Sequence, residues 1–202
     1  AYTATEKIIT KRTDIFKMID TIKVNANAAL LFASLFILSA CTGKPDGVVA
    51  VKDFELDRYL GKWYEIARLD HSFERGLSNI TAEYSLRDDG GVQVINSGLS
   101  IEDNEWQQAE GKAYFVNESD TGHLKVSFFG PFYGSYIVFE LDRESYQYAF
   151  VSGPDTSYLW LLARQPQLDK KVIERFVKRS QELGFDTSKL IYVEHDRAGE
   201  SR

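Results

Sequence analysis

Between residues 60 and 164 the chain runs as eight short segments of β-forming residues, each closed by a turn signal, and this constrains its fold more than any other feature. The segments lie near 60–69, 80–87, 91–98, 106–116, 123–129, 134–142, 146–153 and 158–164. Asp88-Asp89-Gly90-Gly91 is a strong hairpin signal, because Asp and Gly tolerate the positive φ that a tight turn between strands demands. Gly130-Pro131-Phe132-Tyr133-Gly134 and Ser152-Gly153-Pro154-Asp155 punctuate the later segments. Eight strands so linked predict an all-β antiparallel sheet, closed into a barrel or folded into a sandwich. The two differ in what they enclose. An eight-stranded barrel leaves an interior just wide enough for one small ligand, whereas a sandwich fills that space with side chains.

Alternation along the strands assigns faces. "GVQVINSG" puts Val92, Val94 and Asn96 on one side. "YQYAFVSG" sorts bulk, with Tyr146, Tyr148 and Phe150 on one face and Gln147, Ala149, Val151 and Gly153 on the other. The bulky face is expected beneath a helix and the small face toward the interior. Leu168 to Leu183 supplies that helix, because Leu168, Val172, Phe176, Val177, Ser180 and Leu183 form an i, i+4, i+8 stripe. Asp169 suits its first turn and Gly184 its C-terminal cap. Its basic face (Lys170, Lys171, Arg175, Lys178 and Arg179) reads as solvated surface. A final strand is expected over 189–194, and the chain shows no internal repeat.

The region upstream reads differently. Val24 to Ala40 carries no charge and is too short for a bilayer span, which needs about 20 apolar residues. A signal-peptide core fits it better. Leu38-Ser39-Ala40-Cys41 matches a bacterial lipobox, in which the cysteine becomes the N-terminus and carries acyl chains. A buried helix ending at an incidental cysteine would not explain why the chain's one thiol stands there. Cys41 is therefore the expected lipid anchor, and two or more acyl chains suffice for stable attachment. Met18 is the one methionine and the expected start, with 1–40 an upstream extension and signal peptide. Residues 41–52 are then a lipidated tether and 53–202 the folded domain. Beyond residue 40 remain 19 basic and 27 acidic residues, a formal −8 against −6 for the whole chain. That balance argues against nucleic acid, which needs a basic face, and leaves membrane attachment to the acyl anchor.

"GKWYEIA" resembles the first signature of the lipocalin family, a Gly-x-Trp on the first strand, and Arg164 in "YLWLLARQP" resembles the arginine of its third. The second signature is only partly kept: "LDRESYQYAF" retains Asp142 but has Leu141 and Arg143 beside it. "RYLGKWYEIARLDHSFERGLSNITAEYSLRDDGGVQVIN", "EGKAYF" and "LKVSFFGPFYG" are similar to the bacterial outer-membrane members. The resemblance implies an eight-stranded up-and-down barrel with one C-terminal helix and a short last strand. It implies that Gly61, Trp63 and Arg164 close the barrel floor. It also implies a lipoprotein that binds, stores or carries fatty acids or lysophospholipids for membrane maintenance under stress, with no cofactor. Thr42 after the cysteine implies outer-membrane sorting. By parity and resemblance the wall residues are Tyr84, Val92, Val94, Val126, Phe128, Val138, Ala149 and Val151.

Catalytic signals are thin. His71, His123 and His195 lie in different segments, without zinc-ligand spacing. His71, in "LDHSFERG", could hold a headgroup or haem at the mouth, but reads more simply as a solvated loop histidine. Ser127 and Ser157 lack a triad signature. "SFFGPFYG" is either core or an apolar lip. Beside the lipid carrier stand two other functions: an envelope interaction protein with a filled barrel, and an enzyme acting on a bound lipid. The latter would require a polar cluster inside the cavity, for which Glu65 and scattered tyrosines are the candidates. Whether two barrels pair is left open.

Overall fold

A computed structural model describes residues 43–197; Cys41 and the upstream segment lie outside them. After a short helix α1 (Leu56–Tyr59) come β1 (Gly61–Arg68), β2 (Leu77–Leu86), β3 (Val92–Ser100), β4 (Trp106–Phe115), β5 (His123–Ser127), β6 (Gly134–Leu141), β7 (Tyr148–Ser152) and β8 (Leu159–Ala163). Helix α2 (Lys170–Glu182), a 3-10 turn (Thr187–Lys189) and β9 (Ile191–Tyr192) follow. Each strand pairs antiparallel with the next, and β1 closes the circle by pairing with both β2 (Gly61 opposite Tyr84) and β8 (Arg68 opposite Trp160). This is a barrel, not a sandwich. In such a meander alternate connections share an end, so the β1–β2, β3–β4, β5–β6 and β7–β8 loops ring one mouth.

Two apolar cores lie on opposite sides of the wall, as strand alternation dictates. The inner one gathers Trp63, Tyr84, Val92, Val94, Val138, Ala149 and Val151. The outer one, under α2, gathers Phe150, Leu161, Phe176 and Phe185. Phe176 is wholly buried and meets Phe150 edge-on at 5.1 Å. Asp169 caps the helix by accepting from the Lys171 amide at 2.7 Å, and Gly184 ends it at φ +84°. The helix's basic face is less free than the sequence suggests: Arg175 pairs with Glu140 of β6 at 2.7 Å and lies over the Tyr148 ring.

Three expectations need correction. Tyr146 does not join Tyr148 and Phe150 under the helix. Its φ of +54° reverses the chain before β7 begins, so the alternation starts two residues later and its ring enters the inner core. The tether is docked from Pro45 onward: Val48 is fully buried in the outer core and the Val51 amide donates to the Val138 carbonyl at 2.9 Å. Finally, the last strand is two residues long, because the 3-10 turn consumes its start.

That shortened strand has a specific task. At Asn79 (φ +53°) β2 bulges away from β1, and β9 takes the vacated edge beside Ala67 and Arg68. The Asn79 side chain fastens the seam, donating to Asp196 at 2.8 Å and accepting from the Arg197 amide at 2.9 Å. His195 sits in the same seam, with Nε2 2.8 Å from the Glu65 carbonyl.

Phe176→Ala is expected to cost about 3–5 kcal/mol through the cavity it leaves. Urea unfolding should show the lowered midpoint at an unchanged slope, since the loss is of packing and not of cooperativity.

Candidate ligand cavity

The floor is built around Trp63. Its indole is fully buried, and Nε1 donates to the Tyr59 carbonyl at 2.7 Å, which ties β1 to α1. The Arg164 guanidinium centres 4.0 Å from the indole centroid. It donates to the carbonyls of Arg58 (2.7 Å), Lys62 (2.9 Å) and Tyr146 (3.4 Å). Stacking of this kind contributes roughly 0.5–2 kcal/mol; three carbonyls from three segments add position. Gly61 stands beside it at φ +87°, a backbone state that an L side chain rarely adopts. Neither Trp63 nor Arg164 borders the void above.

That void has a volume of about 260 Å³ and is mostly apolar. Of the wall residues expected from sequence, Tyr84, Val92, Val94, Val126 and Phe128 line it. Phe128 reaches inward over Gly111 of β4, where a Cβ would stand 2.9 Å from its ring. Val138, Ala149 and Val151 share the inner face but do not border the void. They are fully buried in the surrounding cluster, because parity gives a residue's face and not how far its neighbours fill the space before it.

Two polar groupings interrupt the apolar wall. Tyr136 places its hydroxyl 2.7 Å from that of Tyr59 and 2.9 Å from that of Tyr84. Burial raises all three phenols above their ordinary range, so they remain neutral hydrogen-bonding groups. Toward the mouth, Glu65 of β1 and Glu74 of the β1–β2 loop face the void, close enough for each to shift the other's titration. Behind them Arg68, 2% exposed, gives one nitrogen to Glu65 Oε1 (3.0 Å) and another to the Glu74 carbonyl (3.0 Å). Trp160 Nε1 donates to Glu74 Oε2 at 3.2 Å. Burial lifts both carboxyls, Glu65 well above the usual carboxylate range, and their mutual repulsion adds to the rise at Glu65. One proton shared between the two is the state this favours.

His71 departs from the solvated histidine that its loop position suggests. It is 5% exposed and stacks on Phe73 (5.2 Å) and Tyr158 (4.9 Å), with Trp160 at 4.7 Å. Burial, reinforced by Arg68, pushes its pKa down to about 4. Its Nε2 and the Ser127 Oγ both lack a hydrogen-bond partner, so no serine–histidine pair forms there. Ser157 occupies the β7–β8 turn, where its amide donates to Asp155. The Gly-Pro segment divides: Phe128 turns into the cavity, whereas Phe129 and Phe132 stand 78% and 77% exposed at the mouth. Phe73 and Ile101, from two other mouth loops, are exposed with them.

Sequence reasoning missed Glu74, Tyr136, Tyr158 and Trp160. Parity offered Tyr136 and Trp160, two residues from the inward Val138 and Leu162; nothing in the sequence marked loop residue Glu74 as buried.

Comparison with known proteins agrees with this architecture. Residues 54–195 match the family model described as a lipocalin-like domain. The outer membrane lipoprotein Blc of Vibrio cholerae is 62% identical, over 83% of this chain and 98% of that protein. The protein of the same name from Escherichia coli K12 is 53% identical, over 79% and 90%. Among solved structures, insecticyanin of the tobacco hornworm Manduca sexta superposes with a TM-score of 0.62 at 26% identity, covering 77% of this chain and 88% of its own.

His71 binds its proton less readily folded than unfolded. Between the unfolded pKa near 6.5 and the folded value of about 4, the unfolded state holds more protons. Stability therefore falls as pH drops through that window and levels off below it. His71→Phe, which keeps the stack, should flatten this slope in urea titrations at pH 4 to 7.

Proposed function

The chain belongs to the lipocalin family and, with the Vibrio cholerae and Escherichia coli proteins just described, to its outer-membrane lipoproteins, and on that premise we propose that it binds and carries single-chain lipids, fatty acids or lysophospholipids. The single observation that carries this reading is the void: a sealed floor, an apolar wall and an open mouth within one closed sheet. Each methylene moved from water into such a wall contributes about 0.8 kcal/mol. A tail of a dozen or more carbons gives roughly micromolar affinity once the costs of association are met. The acyl chain lies against Val92, Val94 and Val126, with its polar end toward the mouth. Cys41 holds the barrel at the periplasmic face, where the exposed Phe73, Phe129 and Phe132 meet the lipid surface. Membrane maintenance under stress is the role that such a carrier serves.

A filled barrel acting through its loops would have no such void. An enzyme acting on bound lipid is a second reading, favoured by the Glu65–Glu74 pair, since two carboxyls with one proton can exchange it with a substrate. The carrier reading holds that lipid extracted from the complex is recovered intact. Hydrolysed lipid after incubation would favour the enzyme.

Trp160 borders the void while Trp63 lies beneath it. Titration with oleate or a lysophospholipid should therefore perturb tryptophan emission with 1:1 stoichiometry, and Trp160→Phe should remove most of the change. Ala113→Trp, which fills the void from β4, should weaken binding at least about tenfold while costing no more than about 1–3 kcal/mol in stability.

A further inference from the structure

We infer that residues 191–197 form a clasp that governs passage of the ligand. Closed, it holds the β1–β2 loop against the cavity; released, it lets that loop and the β1–β2 seam part and so widens the mouth. This rests on the carrier reading above and adds to it a device that sets how fast lipid enters and leaves.

The seam explains why a clasp is needed. β1 and β2 pair from Gly61 opposite Tyr84 as far as Tyr64 opposite Thr81, and no further toward the mouth. Beyond that point the two strands are joined through the C-terminal segment. On the β1 side, Ile191 and Tyr192 pair with Arg68 and Ala67, and the Val193 amide donates to the Ile66 carbonyl at 3.0 Å. The His195 ring lies edge-on to Tyr64, with Nε2 2.8 Å from the Glu65 carbonyl. On the β2 side every tie goes to one residue. The Asn79 amide donates to the Glu194 carbonyl at 2.8 Å, its side chain donates to Asp196, and its Oδ1 accepts from the Arg197 amide. The clasp therefore grips both legs of the loop formed by residues 69–76. Phe73 and Glu74 of that loop border the void, as do Glu65, Ile80 and Thr81 beside the seam.

The segment is fastened in a way that permits release. No apolar side chain of residues 191–197 belongs to either core, and Ile191 and Tyr192 stand 38% and 53% exposed. Hydrogen bonds at a surface, with little apolar burial behind them, mark the regions of a fold that open most readily. The closed state also carries a cost, since His195 Nδ1 is buried without a partner. None of residues 191–197 borders the void, so the segment acts on the passage and not on the bound tail.

The test locks the clasp. Because Val193 bonds to Ile66, Ala67 and Tyr192 face each other as a non-hydrogen-bonded pair. Their Cα atoms are then about 4.5 Å apart, within the span of about 4.4–6.8 Å that a disulfide bridges. Ala67→Cys with Tyr192→Cys would close it under oxidation and free it with dithiothreitol. Stopped-flow energy transfer from Trp160 to cis-parinaric acid, on the full chain held in an amphipathic polymer, reads the rates, and Ala113→Trp supplies the background. Oxidation should slow association and dissociation together by about fivefold or more, with affinity held within about twofold, and reduction should restore both. Asn79→Gly, which keeps the positive φ and deletes the side-chain ties, should speed both by about threefold. Equal rates in the oxidised and reduced protein, with the probe still bound, would overturn the inference and leave the carrier standing. So would a change of affinity with association unaltered. If the probe did not bind the unmodified chain above background, the carrier reading itself would fall, and the inference with it.

Discussion

The Arg164 guanidinium over the Trp63 indole is the contact on which the rest of the barrel depends. Its worth is not chiefly the stacking energy. A closed sheet has two open ends, and an apolar void opening at both would fill with water that its walls cannot bind. Arg164 gathers the carbonyls of Arg58, Lys62 and Tyr146, from the end of α1, the start of β1 and the β6–β7 turn, onto one planar cation. The indole beneath it holds Tyr59, whose hydroxyl in turn meets Tyr136 on the opposite wall. The seal at the floor is thus continuous with the polar lining of the cavity, and a change at Arg164 would be felt at both. Lysine could supply the charge but not the planar fork that reaches three acceptors at once.

Local chemistry made much of this legible. The strand series, the hairpin at Asp88–Gly91 and the stripe of α2 each follow from short-range rules, and the observed elements depart from the reading by a few residues at their ends. Trp63 and Arg164 were found because a resemblance named them; composition alone gives no reason for an arginine 101 positions away to lie on that indole. What escaped was set by depth and by reversals of backbone. Val138, Ala149 and Val151 have the right parity, yet their neighbours close over them. Tyr146 and Asn79 take positive φ, which breaks the alternation just where it was being counted. Glu74 lies in a loop of polar composition and is buried only because Arg68, on the next strand position inward, needs its carbonyl and the indole of Trp160 needs its carboxyl.

The mouth-side acids run against the stability of the fold. Moving two carboxyls and a guanidinium out of water costs more than their attraction returns unless every lone pair is met, and an apolar replacement of equal volume is often neutral or stabilising. Here the set is left incomplete, with Arg68 Nε and His71 Nε2 both buried and unpartnered. The inner core shows that the chain can pack such space with aliphatic and aromatic groups when nothing else is required of it, as around Val138 and Val151. A polar cluster retained in the one region where the barrel is hollow is therefore a feature of the site and not of the scaffold.

From this follows a division of labour along the barrel axis. Below the void, the polar groups of the floor are satisfied within the protein: the indole by Tyr59, the guanidinium by three carbonyls, the phenols by one another. Toward the mouth, Arg68 Nε, His71 Nε2 and Asn96 Oδ1 are buried without a hydrogen-bond partner. A ligand that is wholly apolar would satisfy the lower half and leave the upper half as it is. One that carries a polar group at a single end satisfies both, and only in one orientation, tail inward. The polarity of the cavity is thus also the reason for expecting the ligand to enter tail first through the ring of Phe73, Phe129 and Phe132, whose exposure is otherwise unfavourable for a protein surface in water.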